Sequence, residues 1–231
     1  MIRWPAICAA VFLAACSSGG INPTIGAVIG TAKSTAAKLR ADPATRQPGR
    51  QRLTRAMIEK AGLAMIRAQL GADAPANHLV AATKNGAYVT YLTRQGQQLT
   101  LSGSAITATR GIGHDLLAAA SSPGDPLVVP APPARWPATV RRSFRFAGDG
   151  PGGRVMAFDC RFARGGEGDI TIVEIVHRTV RFTERCTNGR AAFENIHFAD
   201  AKTGFVWRSR QWVSPRLPQI DFDVLEPLTG R

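Results

Sequence analysis

The sequence predicts a mainly β fold: a large curled antiparallel meander sheet, either a partly open barrel or sandwich-like, with one N-terminal helix. From residue 78 onward, apolar side chains recur with a period of two, which is typical of half-buried strands. Turn signals such as Asn85-Gly86 and Asn188-Gly189 separate these runs. Glycine (23) and proline (15) are both frequent, which favours many short elements over long helices.

The N-terminus has the pattern of a lipoprotein signal. Arg3 precedes an apolar run, residues 6–15, that is too short to span a bilayer, which needs about 20 residues. Small residues flank Cys16, whose thiol can carry a thioether-linked diacylglyceryl group. We therefore predict a signal peptide at residues 1–15, lipidation of Cys16 and attachment to a membrane through that lipid. The alternatives are an ordinary secretory signal and a buried N-terminal helix.

A tether and a single domain are expected after the signal. Residues 16–50 begin with small, flexible residues and are later broken by prolines, which predicts a linker. Residues 51–231 are predicted to form one mostly-β domain. Its first element is a helix over residues 55–70, capped by Thr54 and ended by Gly71, with methionine and alanine on its buried face.

The strands are predicted in chain order from the alternation and the turns. Three strands, 78–83, 87–93 and 98–110, are followed by a short helical turn, 114–120, and a proline-rich extended crossing, 126–137, packed at Leu127 and Trp136. Seven more strands are predicted at residues 138–146, 154–164, 169–176, 178–187, 191–198, 205–213 and 219–225. About ten strands must curl, close or split, because a flat open sheet exposes its edges.

Cys160 and Cys186 are predicted to form a disulfide. They are the two cysteines left once Cys8 is removed with the signal and Cys16 is acylated. Each lies on the apolar side of its strand, and an exported chain reaches an oxidising compartment. Neither belongs to a Cys-x-x-Cys motif, so redox or metal chemistry is not expected.

The charge indicates an anionic partner. The formal net charge is +13, and loss of Arg3 with the signal lowers it by one. Nucleic acid is not expected outside the cytoplasm, which leaves acidic polysaccharide, lipid head groups or lipopolysaccharide phosphates. An arginine-rich surface that only reflects overall composition is the alternative.

No motif predicts catalytic residues, a cofactor or a metal site. His114 and Asp115 are adjacent, so their side chains diverge, and Asp115 is better explained as a turn cap. The candidate contact residues are Arg208, Arg210 and Trp212, which should share one strand face. Arginine beside an aromatic ring can bind an acidic sugar, although an ordinary solvated strand face has the same pattern.

A set of short motifs stands in a characteristic order in the second half of the chain: Phe193-Glu194-Asn195-Ile196-His197-Phe198, Gly204, Arg208-Ser209-Arg210-Gln211-Trp212-Val213 and Val224-Leu225-Glu226-Pro227, with Asp125-Pro126-Leu127 and Trp136 further upstream. In the order and spacing of these motifs the chain, over roughly residues 50–227, resembles the YjbF/GfcB family of group 4 capsule and exopolysaccharide lipoproteins. The resemblance implies an outer-membrane lipoprotein with a curled antiparallel sheet that works beside polysaccharide export machinery. It brings no catalytic residues that can be carried over.

Three functions follow as hypotheses. The first is a non-enzymatic accessory factor in capsule or exopolysaccharide assembly or export, which contacts export proteins or acidic polysaccharide. Ser17 after the acylated cysteine favours the periplasmic face of the outer membrane, since aspartate there would favour the inner membrane. The second is a periplasmic polysaccharide-modifying enzyme, which would need Asp115, Asp159, Glu174 and Glu194 to cluster in a cleft. The third is a structural envelope lipoprotein that binds peptidoglycan or an outer-membrane protein.

Overall fold

The computed structural model describes residues 52–71, 73–148, 152–217 and 219–228. Within these residues one α-helix, α1 (Arg55–Ala61), precedes twelve strands. The strands are β1 (Met65–Gln69), β2 (Ala76–Asn85), β3 (Tyr88–Leu92), β4 (Gln98–Ser102), β5 (Ala105–Arg110), β6 (Leu116–Ser121), β7 (Thr139–Phe146), β8 (Arg154–Ile172), β9 (Ile175–Thr187), β10 (Ala192–Asp200), β11 (Val206–Gln211) and β12 (Ile220–Glu226). The predicted signal peptide, the tether and Cys16 lie outside the described residues and stay predictions.

The twelve strands form one antiparallel meander sheet that is nearly closed into a barrel. Their order is β5-β4-β3-β2-β1-β12-β11-β10-β9-β8-β7-β6, so every hydrogen-bonded neighbour is also a neighbour in sequence except the pair β1 and β12. That pair joins the first strand to the last over Met65–Gln69. The predicted fold class is therefore confirmed. No helix in the described ranges is both long and apolar enough to cross a membrane.

A seam separates β5 from β6, the two edges of the sheet. The edges are linked at one end by side chains, because the Leu116 amide donates to Thr109 Oγ1 at 2.9 Å. Asp115 caps the connecting turn by accepting from the Gly111 and Ile112 amides at 2.9 and 3.2 Å. The turn-capping role predicted for Asp115 is confirmed.

The inner face of the sheet holds the main core. Phe144, Phe158, Phe193 and Trp212 pack together there, and the Phe193 and Trp212 rings stack at 4.5 Å. Cys160 and Cys186 are directly opposite on β8 and β9 and form the predicted disulfide. The core is therefore tied together on its inner face by a covalent cross-strand link.

The segment 122–138 crosses from β6 to β7 and packs against the sheet where the sequence predicts. Leu127 is buried, and its carbonyl accepts from the Ser104 amide at 2.7 Å. The Trp136 ring stacks on Phe182 at 3.9 Å. Gly204 has φ +76, and a Cβ there would lie 1.8 Å from the Ala131 carbonyl oxygen, so this close approach needs glycine.

The predicted helix is correct at its start and wrong at its end. Thr54 Oγ1 accepts from the Met57 amide, but Gly62 adopts φ +61 and ends the helix there. Residues 65–69 form β1 because this segment pairs with β2 on one side and β12 on the other. Tertiary pairing thus overrides the helical spacing of Met65 and Ala68.

Three further predictions are wrong in detail. Residues 98–110 form a hairpin, β4 and β5, and residues 116–121 form a strand instead of a helical turn. The glycine-rich stretch 165–168 is an irregularity inside β8, so residues 154–172 form one strand. The actual turn of this hairpin lies at Val173 and Glu174, both with positive φ, which carries no glycine or asparagine signal.

Candidate functional site

A buried ionic cluster lies on the inner face of β7, β9 and β10. Arg142 on β7 points between Val140 and Phe144, and its side chain is only 8% exposed. It donates from Nε to Glu184 Oε1 at 2.6 Å and from Nη1 to Asp125 Oδ2 at 2.5 Å. Both carboxylates are fully or almost fully buried, so one guanidinium is the shared counter-charge of two acids that have little contact with water.

Glu184 is held by three side chains. Besides Arg142, Asn195 Nδ2 donates to its Oε2 at 2.8 Å, and His197 Nε2 lies 3.2 Å from the same oxygen. An ionised carboxylate can only accept, so His197 Nε2 carries the hydrogen of this contact. His197 Nδ1 then meets Ser209 Oγ at 2.8 Å. The network therefore runs without a break from β7 to β11.

The charges in this network favour the ionised acid. Burial alone would raise the pKa of Glu184, but the charge of Arg142 and the hydrogen bonds of His197 and Asn195 lower it to about 2. Burial likewise opposes the charge of Arg142, yet Glu184 and Asp125 raise its pKa above the ordinary value. Glu184 therefore stays an anion at neutral pH.

A cavity of about 170 Å³ opens at the β5–β6 seam and reaches this cluster. Its walls include Phe144, Trp212, Arg142 and Gln211. The Gln211 amide is fully used: Nε2 donates to Ser104 O and Ser209 Oγ, and Oε1 accepts from the Ile106 amide. Gln211 in the cavity wall thus forms structural hydrogen bonds that link β11 to the β5 edge.

The three predicted contact residues are not all brought together. Arg208 and Arg210 line an outer groove of about 250 Å³ between β1, β11 and β12. Trp212 lies past the end of β11, is 8% exposed and belongs to the inner core. The prediction that it shares a face with the two arginines is wrong, because the strand alternation stops at Gln211.

The groove arginines are already paired with neighbouring carboxylates. Arg208 Nε donates to Asp223 Oδ1 at 2.5 Å, and Arg210 Nε to Asp221 Oδ1 at 2.7 Å. Arg67 shares Asp223 at 2.8 Å. A contact role for Arg208 and Arg210 remains a prediction, and any anionic ligand there would compete with these carboxylates.

The carboxylates that an enzyme would need are engaged separately. Asp115 caps its turn, Asp159 pairs with Arg141 at 3.0 Å, and Glu194 pairs with Arg185 at 3.0 Å. Glu174 accepts from the Arg55 amide at the start of α1. They belong to different loops and strands, and each has its own partner.

Three potential metal ligands meet on the inner face. The sulfurs of Cys160 and Cys186 and a carboxylate oxygen of Glu184 lie within 4.8 Å of one another. Both sulfurs are in the disulfide, however, and a metal needs thiolates. The Glu184 oxygens are also occupied by Arg142, Asn195 and His197.

Sequence reasoning missed the buried cluster, although part of its signal was present. Glu184 stands between Phe182 and Cys186 in the alternation of β9, and Arg142 stands between Val140 and Phe144 in β7. A charged residue at an inward position predicts a buried ion pair, because an unpaired charge there would be too costly. Asp125 lies in the loop between β6 and β7 and has no such signal.

Comparison with known proteins places the chain in a family. Residues 33–225 match the family model described as group 4 capsule polysaccharide lipoprotein gfcB, YjbF. The chain belongs to the YjbF family. The family suggested by the sequence resemblance is thereby confirmed, and with it the classification as a capsule polysaccharide lipoprotein.

The YjbF-family chain also has a similar solved structure. The crystal structure of the hypothetical lipoprotein YmcC from Escherichia coli (K12) matches with a TM-score of 0.64 at 16% sequence identity. The match covers 78% of this chain and 92% of that one. It shows a shared fold. No curated protein matches the chain.

Proposed function

We propose that this chain is an outer-membrane lipoprotein and acts as a non-enzymatic accessory factor in the assembly or export of capsule or exopolysaccharide. The lipid on Cys16 holds it at the periplasmic face of the membrane. The domain then offers its surface to a polysaccharide or to an export protein. Membership of the capsule lipoprotein family over residues 33–225 is the observation that carries the proposal.

The state of the buried acids supports a role without catalysis. A glycoside hydrolase needs one carboxyl group that stays protonated near neutral pH and donates its proton to the leaving group. Glu184 has the opposite property, since Arg142 and its other partners lower its pKa to about 2. Asp125 is bound to the same guanidinium through both oxygens.

Gene deletion in the native host tests the role. We expect the polysaccharide on the cell surface to fall while its lipid-linked precursors persist, because export or assembly is affected and synthesis is not. The wild-type gene should restore the surface polymer, and Cys16→Ser should not, because the protein loses its anchor. An unchanged amount of surface polysaccharide after deletion would refute the proposal.

A second complementation separates an accessory factor from an enzyme. Glu184→Gln keeps the shape of the side chain and removes its charge. For an accessory factor, surface polysaccharide should follow the amount of folded Glu184→Gln protein in the envelope. Full loss of the polymer at wild-type protein level would instead indicate a catalytic Glu184.

A further inference from the structure

The outer face of β7, β8 and β9 carries a row of exposed arginines. Successive side chains of a strand point to opposite faces, so the neighbours of the buried residues on these strands point to solvent. Five of these outward residues are arginine, and we call them the arginine track: Arg141, Arg145, Arg161, Arg181 and Arg185.

Three members of the track have no acidic partner among the described residues. Arg141 pairs with Asp159 and Arg185 with Glu194, and these pairs are largely solvent-exposed. Within the described ranges, no hydrogen bond or ion pair engages the side chains of Arg145, Arg161 or Arg181. Five guanidinium groups against two carboxylates leave a net charge of +3 on this face.

The track includes an arrangement that works against stability. Arg161 on β8 lies directly opposite Arg185 on β9. Like charges at directly opposed positions of an antiparallel pair repel each other. Glu194 offsets the charge of Arg185, but within the described residues Arg161 has no acidic partner, so the repulsion is only partly compensated. A local rule broken without full compensation points to a functional surface.

The track is long, and the outward side chains between its arginines are mostly small. The strand registers place Arg181 at one end, Arg161 and Arg185 next, then Arg141, and Arg145 at the other end. Ten residue steps separate the ends, which corresponds to about 33 Å along a strand. The outward neighbours are mostly small: Ser143, Ala157, Ala163, Thr183 and Thr187. An extended polymer could therefore lie along the guanidinium groups.

We propose that the arginine track binds an acidic polysaccharide chain. The proposal rests on the proposed function and adds the class of ligand and its location. A glycan fits better than a lipid surface, because membrane-binding faces combine basic residues with tryptophan, phenylalanine or leucine. Between Arg145 and Arg181, Val155 is the only large apolar side chain that points outward from these three strands, and Ile170 and Ile172, further along β8, are buried in a cluster with Ile58 of α1.

The test measures binding of purified protein to polygalacturonate, with dextran as the neutral glycan. The protein is the chain from residue 16 onward with Cys16→Ser, so that no lipid anchor contributes. We expect binding to polygalacturonate but not to dextran, and weaker binding when salt is raised from about 50 to about 500 mM. In the track variant Arg145→Thr/Arg161→Thr/Arg181→Thr, affinity should fall at least about tenfold.

A charge-matched variant provides the control. Arg52, Arg94 and Arg216 are exposed and lie off the track, so their triple change to threonine removes the same net charge. We expect this control variant to bind polygalacturonate within about threefold of the parent. An equal loss in both triple variants would show that net charge alone attracts the polymer and would overturn the proposal.

Two other results would also overturn it. Equal binding of dextran would show that charge is not recognised. Binding to phosphatidylglycerol vesicles without binding to polygalacturonate would assign the track to a lipid surface. Either result, found together with the expected deletion phenotype, would remove the arginine track as a glycan site and leave the accessory function in place.

Discussion

The inner and outer faces of β7, β8 and β9 use the same residue type in opposite ways. Inside, Arg142 is almost fully buried and meets two carboxylates. Outside, the adjacent Arg141 has a side chain that is 73% exposed and has one exposed partner, and Arg145 has no partner within the described residues. The difference shows that the strand alternation, not the residue type, decides whether an arginine holds the fold together or is available to a partner.

The largest effect is expected at the centre of the inner face. Arg142→Met should lower the free energy of unfolding by about 3 to 5 kcal/mol, because Asp125 and Glu184 would be left buried without a counter-charge. Urea unfolding measures the change. Arg145→Met, on the same strand and the opposite face, should stay within about 0.5 kcal/mol of the wild type. Similar losses in the two variants would contradict the distinction between the faces.

The disulfide gives the next effect. Cys160→Ala/Cys186→Ala should lower the free energy of unfolding by about 3 kcal/mol, since the bond closes a loop with a sequence separation of 26. Comparison of the transitions of the variant and the wild type without reductant gives the value. A change below about 1 kcal/mol would mean that the unfolded chain gains little freedom when the link is removed.

Acid should weaken the inner face through Glu184. Its pKa is lowered to about 2 in the folded chain from an ordinary value of 4.5, so the unfolded chain binds more protons between these pH values. The stabilisation is present above about pH 4.5 and is lost as the pH falls towards 2, by about 3 kcal/mol in all. Urea unfolding at several pH values measures it. Glu184→Gln should remove this part of the slope, and an unchanged slope would show that other groups are responsible.

The smallest effect is expected one residue away from the disulfide. Arg161 and Arg185 face each other on the outer side of the same two strands that Cys160 and Cys186 link inside. Arg161→Thr should change the free energy of unfolding by less than about 0.5 kcal/mol, in the stabilising direction, because it removes a repulsion. A clear loss of stability would show that the Arg161 side chain stabilises the folded state, and it would weaken the proposal that the track is a binding surface.

Much of the inner face could be predicted from the sequence. The period of two placed Met156, Phe158, Cys160 and Phe162 on one side of β8; the last three are buried, and Met156 is partly buried against the same core. The disulfide followed from that placement. The alternation was sufficient because a strand pairs only in registers that keep its apolar side inward.

The parts that could not be predicted depend on partners distant in the chain. The apolar side chains of residues 65–69 recur at helical spacing, but this segment is hydrogen-bonded to β2 on one side and to β12 on the other. The pairing with β12 brings together residues that are far apart in the sequence. Asp125 binds Arg142 from a loop, and nothing local marks it as buried. Arg208 and Arg210 stood out as charged residues, but their ion pairs with Asp223 and Asp221 depend on the pairing of β11 with β12.

Surface polysaccharide in a deletion strain complemented with the track variant tests the central claim most directly. Both variants are first checked for a wild-type amount of envelope protein and for an intact disulfide. We then expect the track variant Arg145→Thr/Arg161→Thr/Arg181→Thr to restore little surface polysaccharide. The charge-matched control variant should restore it fully. Full restoration by the track variant would contradict the account, because the three arginines of the outer face would then not be needed for surface polysaccharide.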